Sequence, residues 1–219
     1  MIPKHIAIIM DGNRRFAKFL NKDAVKGHVY GEKKLRELIK WCKEKKIKEL
    51  TVYALSLQNF NRPKTEFNYL MELFEKTAKN YIEKDLKHLK IDFVGRTHLL
   101  PENIQKKILK IKQKTSQNKP YKLNIAIAYG GREEIIDTIK KIKEPANITE
   151  EKFNELLDLN SEPDLVIRTG KEKRISNFLL WQISYSELIF MDKYWPEFTK
   201  QDFEDCLKEY SKRERRKGT

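Results

Sequence analysis

The chain has 219 residues, 39% of them hydrophobic, and carries a formal net charge of +14. This composition excludes a disordered or collagen-like chain, and no stretch approaches the 18 or so consecutive apolar residues that span a membrane. We expect one domain over residues 1–219, with a basic tail at about 212–219. The start lacks a signal-peptide pattern, so the sequence predicts a cytoplasmic protein.

Apolar runs and amphipathic stretches alternate along the whole chain. The runs predict six strands, several apolar on both faces as in a buried parallel sheet: 5–10, 50–57, 91–94, 123–128, 165–167 and 188–190. The amphipathic stretches predict helices at about 30–45, 66–89, 101–117, 132–143, 149–159, 176–185 and 200–212. This alternation predicts an α/β single domain with a mostly parallel central sheet flanked by helices.

The first predicted strand ends in Met10-Asp11-Gly12-Asn13-Arg14-Arg15. In an open parallel sheet, ligands bind beyond the carboxyl ends of the strands. An acid at the strand end, a glycine turn and arginines entering a helix together indicate a site for a metal and an anion. An ordinary Asp-Gly turn would explain the same residues, and the sequence leaves both interpretations open.

Polar side chains also follow the second predicted strand, in Ser56-Leu-Gln-Asn59-Phe-Asn-Arg62. Hydroxyl, amide and guanidinium groups in this order have no periodic explanation. They favour a second part of a binding site at the same sheet edge. The alternative is a polar loop that leads into the helix predicted from Glu66.

A third candidate site follows the strand that ends at Arg168, where a glycine turn leads to Arg174 and Ser176. This arrangement indicates a second anion site. Glu187 lies among apolar residues and needs a metal, a raised pKa or a partner. A salt bridge to a nearby arginine is the simpler alternative for Glu187. Among the histidines, we place His28 near phosphate.

The net charge favours a nucleic acid, an anionic membrane or a phosphorylated small molecule as partner. A lysine-rich proteome would explain most of the excess. The arginines are fewer, and several lie in apolar or turn-rich places that suit phosphate recognition: Arg14, Arg15, Arg62, Arg132, Arg168 and Arg174. The sequence lacks a nucleic-acid recognition motif, so we expect no nucleic-acid partner.

These segments resemble the cis-prenyltransferase family, and within it the bacterial undecaprenyl diphosphate synthases, over nearly the whole chain. The matching stretches are His5-Ile-Ala-Ile-Ile-Met-Asp-Gly-Asn13, Gly27-His28, Tyr53-Ala-Leu-Ser56 through Asn59, Arg62-Pro63, Tyr129-Gly-Gly-Arg132, Arg168-Thr-Gly170, Arg174-Ile-Ser-Asn-Phe-Leu-Leu-Trp-Gln-Ile183, Tyr185-Ser-Glu187 and Trp195-Pro196. The resemblance implies a long apolar tunnel and Mg²⁺-dependent cis-condensation of isopentenyl diphosphate onto an allylic diphosphate, with farnesyl diphosphate as the expected starter. The implied product is a long polyprenyl diphosphate such as undecaprenyl diphosphate, the precursor of the cell-wall carrier lipid.

The resemblance also assigns residues. It implies Asp11 and Asn59 as catalytic residues, and Asp11 and Glu187 as Mg²⁺ ligands, with Glu187 in its own or the partner subunit's site. The implied substrate contacts are Gly12, Asn13, Arg14, Arg15, Phe16, His28, Ser56, Leu57, Gln58, Phe60, Arg62, Arg168, Arg174, Ile175 and Ser176. Leu70, Leu73, Phe74, Ile125 and Ile127 are candidates for the tunnel wall, with ordinary core packing as the alternative.

A homodimer and transient contact with the inner face of the cytoplasmic membrane are further implications of the resemblance. The ending Arg215-Arg216-Lys217-Gly218 resembles a family segment that reaches an active site across the dimer, although a basic tail without that role is the alternative. Several positions depart from the family pattern. Ala24 stands where an arginine is usual, and Lys173 stands where a histidine is usual. A catalytically silent family member remains the alternative to an enzyme.

Overall fold

The computed structural model describes residues 2–83 and 88–213. Its centre is one sheet of six strands: β1 (His5–Ile9), β2 (Glu49–Ser56), β3 (Leu89–Val94), β4 (Tyr121–Tyr129), β5 (Leu165–Arg168) and β6 (Glu187–Phe190). The strand order is β3-β4-β2-β1-β5-β6, and all five neighbouring pairs are parallel. The predicted strands and the parallel sheet are therefore confirmed.

Seven α-helices in the described residues surround the sheet: α1 (Asn13–Phe19), α2 (Ala24–Glu44), α3 (Lys64–Glu83), α4 (Glu102–Thr115), α5 (Gly131–Lys141), α6 (Glu150–Leu156) and α7 (Lys200–Lys212). Six of the predicted helices are present with shifted ends. None of the helices described is both long enough and apolar enough to cross a membrane.

The helix predicted at residues 176–185 is wrong, because this segment forms a series of turns. Ser176, Asn177 and Leu179 have φ angles of 51°, 62° and 46°, which a right-handed helix does not allow. The predicted 66–89 helix also ended too late, since Leu89 begins β3. The remainder of its predicted end, 84–87, and the basic tail from 214 onward lie outside the described residues.

The sheet is buried on both faces, as its apolar strands predict. Ile6 and Ile8 of β1 belong to the larger hydrophobic cluster, whereas Ala7 and Ile9 belong to the smaller one. Successive side chains of a strand point to opposite faces, so each cluster covers one face of the sheet. The polar side chains that could bind a polar ligand therefore lie beyond the strand ends.

The order of the strands reverses at β1, which has β2 on one side and β5 on the other. In doubly wound α/β folds a crevice forms at such a reversal, outside the carboxyl ends of the strands. The loops after β1, β2 and β5 carry the three sets of polar residues found in the sequence. The fold therefore brings these loops to one edge.

Candidate active site

A cleft of about 660 Å³ opens at the carboxyl edge of β1, β2 and β5. Of the substrate, metal and catalytic residues expected from sequence, those lining it are Asp11, Gly12, Asn13, Arg14, Arg15, His28, Ser56, Asn59, Arg62, Arg168 and Ser176. Lys18, Lys22, Ala24 and Tyr53 line it as well. The side chains from three separate loops thus converge, as the strand-end argument predicts.

Asp11 lies at the centre of this cleft and accepts from two arginines. Arg168 Nη2 donates to Asp11 Oδ2 at 2.8 Å, and Arg15 Nη2 lies 3.1 Å from Asp11 Oδ1. Arg168 is buried, and a buried guanidinium requires such a carboxylate. Because Arg168 Nη1 also donates to Ser176 Oγ at 2.7 Å and to the Arg174 carbonyl oxygen, this side chain links β1 to the turns after β5.

The turn that follows Asp11 depends on Gly12. Its φ of 105° lies in the region that favours glycine, and a Cβ at this position would lie 2.7 Å from Cδ1 of Tyr194. The backbone amide of Trp195 donates to the Asp11 carbonyl oxygen at 2.9 Å. The segment after β6 therefore fixes the turn that presents Asp11 and starts α1.

A second carboxylate, Glu66 of α3, is buried at the rim of the cleft. It accepts from Arg62 Nη1 at 2.9 Å, and Arg14 Nε and His28 Nε2 each lie 3.6 Å from the same oxygen. Burial, with the nearby Arg62 charge, lowers the pKa of His28 to about 4. His28 is therefore neutral at pH 7, and its buried Nε2 atom has no hydrogen-bond partner among the described residues.

Glu172 is a third carboxylate, after Asp11 and Glu66, that pairs with arginines at the cleft. It contacts two of the arginines expected to bind substrate. Arg15 Nη1 donates to Oε1 at 3.0 Å, and Arg174 Nη1 donates to Oε2 at 2.6 Å. The cleft arginines are thus oriented by carboxylates of the chain itself. An incoming diphosphate, with its higher charge, has the chemistry to replace these carboxylates as the partner of the guanidinium groups.

The residues after β2 form a 3₁₀ helix, Leu57–Asn61, instead of an irregular loop. Ser56 Oγ accepts from the Asn59 amide, and Asn59 Oδ1 accepts from the Ser56 amide, both at 3.2 Å. This reciprocal cap fixes both side chains at the cleft. The cap uses Oδ1 of Asn59 and leaves its Nδ2 group available to donate a hydrogen bond.

Some expected site residues lie outside the cleft lining. Phe16 packs edge-on against Tyr30, and Phe60 packs against Phe67, with ring centroids 5.6 and 5.1 Å apart. Leu57 and Ile175 pack against the hydrophobic clusters, Gln58 is exposed, and the exposed Arg174 side chain turns to Glu172. These residues support the cleft from behind or from its rim.

Glu187 begins β6, in register with Leu165 at the start of β5, whereas Asp11 lies two residues beyond Ile9, which is in register with Arg168 at the end of β5. The two carboxylates therefore lie at opposite ends of the parallel strands, Asp11 beyond the carboxyl ends and Glu187 at the amino ends. One chain does not bring them together as metal ligands. Glu187 Oε2 instead accepts from Arg213 Nη1 at 2.7 Å. Within one chain the simpler alternative, a salt bridge, is what the structure contains.

Glu172 and Tyr194, which contact Arg15 of the cleft, were missed as functional candidates, and Glu66, which contacts Arg62, was placed beside the substrate pocket without a role of its own. Arg62 and Glu66 are four residues apart, but Arg62 precedes α3 in extended backbone, so their pairing does not follow from helical spacing. Tyr194 lies under two cations, with Arg15 Cζ 5.6 Å and Lys171 Nζ 5.1 Å from its ring centroid. Nothing in the local sequence around Glu172 or Tyr194 indicates these contacts, because Arg15, which contacts both residues, comes from α1.

An apolar cavity of about 150 Å³ adjoins the cleft and shares Met10, Asn13, His28 and Ala54 with its lining. The tunnel candidates Leu70, Leu73, Phe74, Ile125 and Ile127 all line this cavity. A basic cleft beside an apolar cavity suits a molecule that has an anionic head and a hydrocarbon tail.

Comparisons with known proteins agree with this chemistry. A family model described as "Putative undecaprenyl diphosphate synthase" matches residues 9–218. The chain is 47% identical to a Thermococcus kodakarensis protein named tritrans,polycis-undecaprenyl-diphosphate synthase (geranylgeranyl-diphosphate specific), covering 99% of this chain and 87% of that protein. It is also 47% identical to the isoprenyl transferase of Fusobacterium nucleatum, covering 99% and 96% of the two chains.

Two solved structures are similar over their whole length. Lavandulyl diphosphate synthase from Lavandula x intermedia, in complex with dimethylallyl diphosphate, superposes with a TM-score of 0.95 at 35% identity, covering 100% and 99% of the chains. A probable undecaprenyl diphosphate synthase from Campylobacter jejuni gives a TM-score of 0.86 at 35% identity, covering 99% of each chain.

Proposed function

This chain belongs to the undecaprenyl diphosphate synthase family of prenyltransferases, and from that membership we propose its reaction. It condenses isopentenyl diphosphate repeatedly onto an allylic diphosphate, forms a cis double bond at each step, and releases a long polyprenyl diphosphate such as undecaprenyl diphosphate. The observation that carries the proposal is the arginine-lined cleft beside an apolar cavity. The cleft suits the diphosphate groups, and the cavity suits the prenyl chain.

In this proposal the two diphosphates use different arginines. The backbone of Gly12–Arg15, with Arg62 and His28, holds the allylic diphosphate. On binding, the diphosphate replaces Glu66 as the anionic partner of Arg62. Arg168, Arg174 and Ser176 hold isopentenyl diphosphate next to it. Both sets line or border one cleft, so the reacting carbons are held in one geometry, which supplies a large part of the rate advantage.

Each condensation breaks the C–O bond of the allylic diphosphate and forms a C–C bond to the terminal carbon of the isopentenyl double bond. The electron pair of the isopentenyl double bond makes this bond and leaves positive charge on C3. A proton then leaves C2, the new double bond forms between C2 and C3, and the departing diphosphate is the base available to accept the proton. Negative charge develops on the departing diphosphate, and fixed guanidinium groups in the cleft stabilise it. Ser56 and Asn59, held by their reciprocal cap, position the isopentenyl group for loss of that proton.

Mg²⁺ is the proposed cofactor, and the donor set at the cleft fits it. Mg²⁺ is usually held by one or two carboxylates together with substrate phosphates. Asp11 offers such a carboxylate in the cleft, and the described residues contain no cluster of three or more acidic, histidine or cysteine side chains that would form a cage. When bound by Asp11, the ion would neutralise charge on the diphosphate. A contribution from Glu187 would have to come from a partner subunit.

The proposed tunnel requires more room than the cavity offers. Ligand pockets usually span about 300–1,000 Å³, and the cavity measures about 150 Å³. We expect the growing chain to move the apolar side chains of α3, Leu70, Leu73 and Phe74, away from β4. Product length then depends on how far this separation proceeds.

A homodimer is the proposed assembly. Ile136 and Ile139 of α5 and the turn residue Tyr185 are exposed although they are large and hydrophobic. Exposed apolar residues of this kind mark protein interfaces when they cluster. We expect a second copy to cover them, and peripheral contact with the inner face of the cytoplasmic membrane to serve product release.

The test offers purified protein isopentenyl diphosphate with dimethylallyl, farnesyl or geranylgeranyl diphosphate, with MgCl₂ or EDTA, and reads the products by mass spectrometry. We expect a ladder of five-carbon additions to farnesyl diphosphate that requires MgCl₂. Geranylgeranyl diphosphate is included because it appears in the name of the Thermococcus relative. Absence of elongation from all three starters would overturn the proposal and favour a catalytically silent subunit.

A further inference from the structure

The C-terminal end of α1 exposes two adjacent large hydrophobic residues. Phe19 is 73% exposed and Leu20 is 37% exposed. The turn that carries them is ordered by backbone hydrogen bonds, since Leu20 N donates to the Ala17 carbonyl oxygen at 3.1 Å and Lys22 N donates to the same oxygen at 2.9 Å. Single exposed hydrophobic residues are common on proteins, but an adjacent pair on a fixed turn indicates a contact surface.

Lysines surround this pair. Lys18 and Lys22 flank it in sequence and line the cleft. Lys22 Nζ donates to the Tyr30 hydroxyl at 2.6 Å, and this hydrogen bond, with the charges of Lys22, Lys33 and Lys26, lowers the pKa of Tyr30. The exposed Asp23 offsets part of this positive charge, because its Oδ2 atom lies 3.9 Å from Lys26 Nζ. The surface is therefore an apolar tip beside a net positive charge.

We propose that this α1 tip, defined as residues 18–22 together with Lys26 and Lys33, docks on an anionic lipid bilayer. Phe19 and Leu20 enter the boundary between headgroups and acyl chains, and the lysines face the lipid phosphates. An apolar face flanked by lysines is the pattern of interfacial membrane binding.

The position of the α1 tip beside the cleft relates membrane docking to product release, an inference that rests on the proposed function. The same short helix begins at Asn13 and carries Arg14 and Arg15 into the cleft. A bilayer held by the end of α1 lies beside the mouth of the cleft. A polyprenyl product can then leave for the bilayer without crossing bulk water.

The test measures co-sedimentation with phosphatidylcholine vesicles containing roughly 30% phosphatidylglycerol, at about 0.15 M NaCl and without substrate. We compare the parent with F19S/L20S and with the matched control L99S/L109S, whose leucines are 47% and 58% exposed elsewhere on the molecule. We expect F19S/L20S to lower the partition coefficient roughly tenfold. The control should bind as the parent does.

Equal binding by F19S/L20S and the parent would overturn the proposal, and so would an equal loss in the control. Pure phosphatidylcholine vesicles test the lysines: we expect weak binding to them, and binding as strong as to the anionic vesicles would contradict the role of charge. Because no substrate is present, this result is independent of turnover. A protein that binds vesicles through the tip but makes no polyprenyl product would overturn the proposed reaction and leave the surface standing.

Discussion

At the scale of single residues, the cleft is organised by pairs of opposite charge that the chain supplies itself. Asp11 lies between Arg15 and Arg168, and Glu66 lies beside Arg62. Breaking such a buried pair leaves an uncompensated charge, which is strongly destabilising. The arginines are consequently held in place before any anionic ligand arrives, and this reduces the reorganisation needed for binding.

Tyr194 is expected to position two cations, Arg15 of the cleft and the exposed Lys171, through the face of its ring. Each exposed cation–π contact contributes about 0.5–1 kcal/mol. We therefore expect Tyr194→Leu to raise the KM for the diphosphate substrates by roughly fivefold with little change in kcat.

Tyr194→Phe keeps the ring and removes the hydroxyl, so it should retain the parent KM. Steady-state kinetics with both substrates would measure this. A Phe variant as impaired as the Leu variant would contradict a role for the ring face. It would point to the hydroxyl instead.

His28 predicts a pH dependence of stability. Burial lowers its pKa to about 4, compared with 6.5 for an unperturbed histidine. Between these two values the unfolded chain binds more protons than the folded chain, so the free energy of unfolding falls as the pH falls through this window. Between pH 7 and pH 5 the loss from His28 is about 2 kcal/mol.

Urea unfolding of the parent and of His28→Gln at pH 7 and pH 5 would test this. We expect the variant to lose less stability on acidification than the parent. The buried His5, whose pKa is also lowered by burial, contributes in the same direction in both proteins, so the difference isolates His28. Identical losses in the two proteins would contradict the assignment.

At the scale of elements, α1 and α2 pack closely because α2 carries glycines at the crossing. A Cβ at Gly27 would lie 2.0 Å from the Asn13 carbonyl oxygen, and one at Gly31 would lie 2.3 Å from Asn13 Oδ1. We expect Gly27→Ala to lower the free energy of unfolding by roughly 1–3 kcal/mol, because the helices must separate.

The neighbouring Lys26→Ala, at a largely exposed position, is the matched control and should change stability little. Gly27→Ala should also lower turnover, since Asn13 and His28 line the cleft on either side of the crossing. Urea unfolding and a turnover assay measure both effects. Unchanged stability in Gly27→Ala would contradict the close packing.

Elements with a continuous apolar pattern could be predicted from sequence, and those fixed by distant contacts could not. β1 and β5 are buried at every position, so their runs stand out. The turns at 176–185 have a helix-like pattern but are held by other elements. For example, Gln182 Nε2 donates to Glu134 Oε2 at 3.0 Å, and Asn177 Nδ2 donates to Glu133 Oε2 at 2.9 Å. Such tertiary hydrogen bonds override local periodicity.

As with the fold, part of the candidate site could be predicted from sequence and part could not. Asp11, Ser56 and Arg168 could be found because polar residues after apolar strands meet at one edge of a parallel sheet. The pairing of Glu187 with Arg213 could not, because it depends on the register of β6 against β5. Glu172 was missed for a different reason: one partner, Arg15, comes from distant α1, and the other, Arg174, lies in an irregular loop without helical or strand spacing.

At the scale of the whole molecule, the proposed dimer connects two observations. Ile136 and Ile139 are exposed hydrophobic residues that a dimer interface would bury, and Glu187 is remote from the Asp11 cleft of its own chain. We expect sedimentation velocity to give a particle of about twice the 26.2 kDa chain mass. Ile136→Glu/Ile139→Glu should dissociate it, because two charges would be buried in the interface.

The dissociated chain should also lose turnover if the partner subunit's Glu187 completes each site. Leu109→Glu, at an exposed position of α4, is the control and should remain dimeric. A monomeric parent with full activity would contradict the dimer and the shared site together.

The central claim is that the cleft around Asp11 joins isopentenyl diphosphate to an allylic diphosphate. The most direct measurement compares the parent with Asp11→Ala and with the remote Asp158→Ala, using farnesyl and isopentenyl diphosphates, MgCl₂ and mass spectrometry of the products. The account predicts a ladder of five-carbon steps from the parent and from Asp158→Ala, and a loss of at least about a hundredfold in Asp11→Ala. A ladder of parental intensity from folded Asp11→Ala would contradict it.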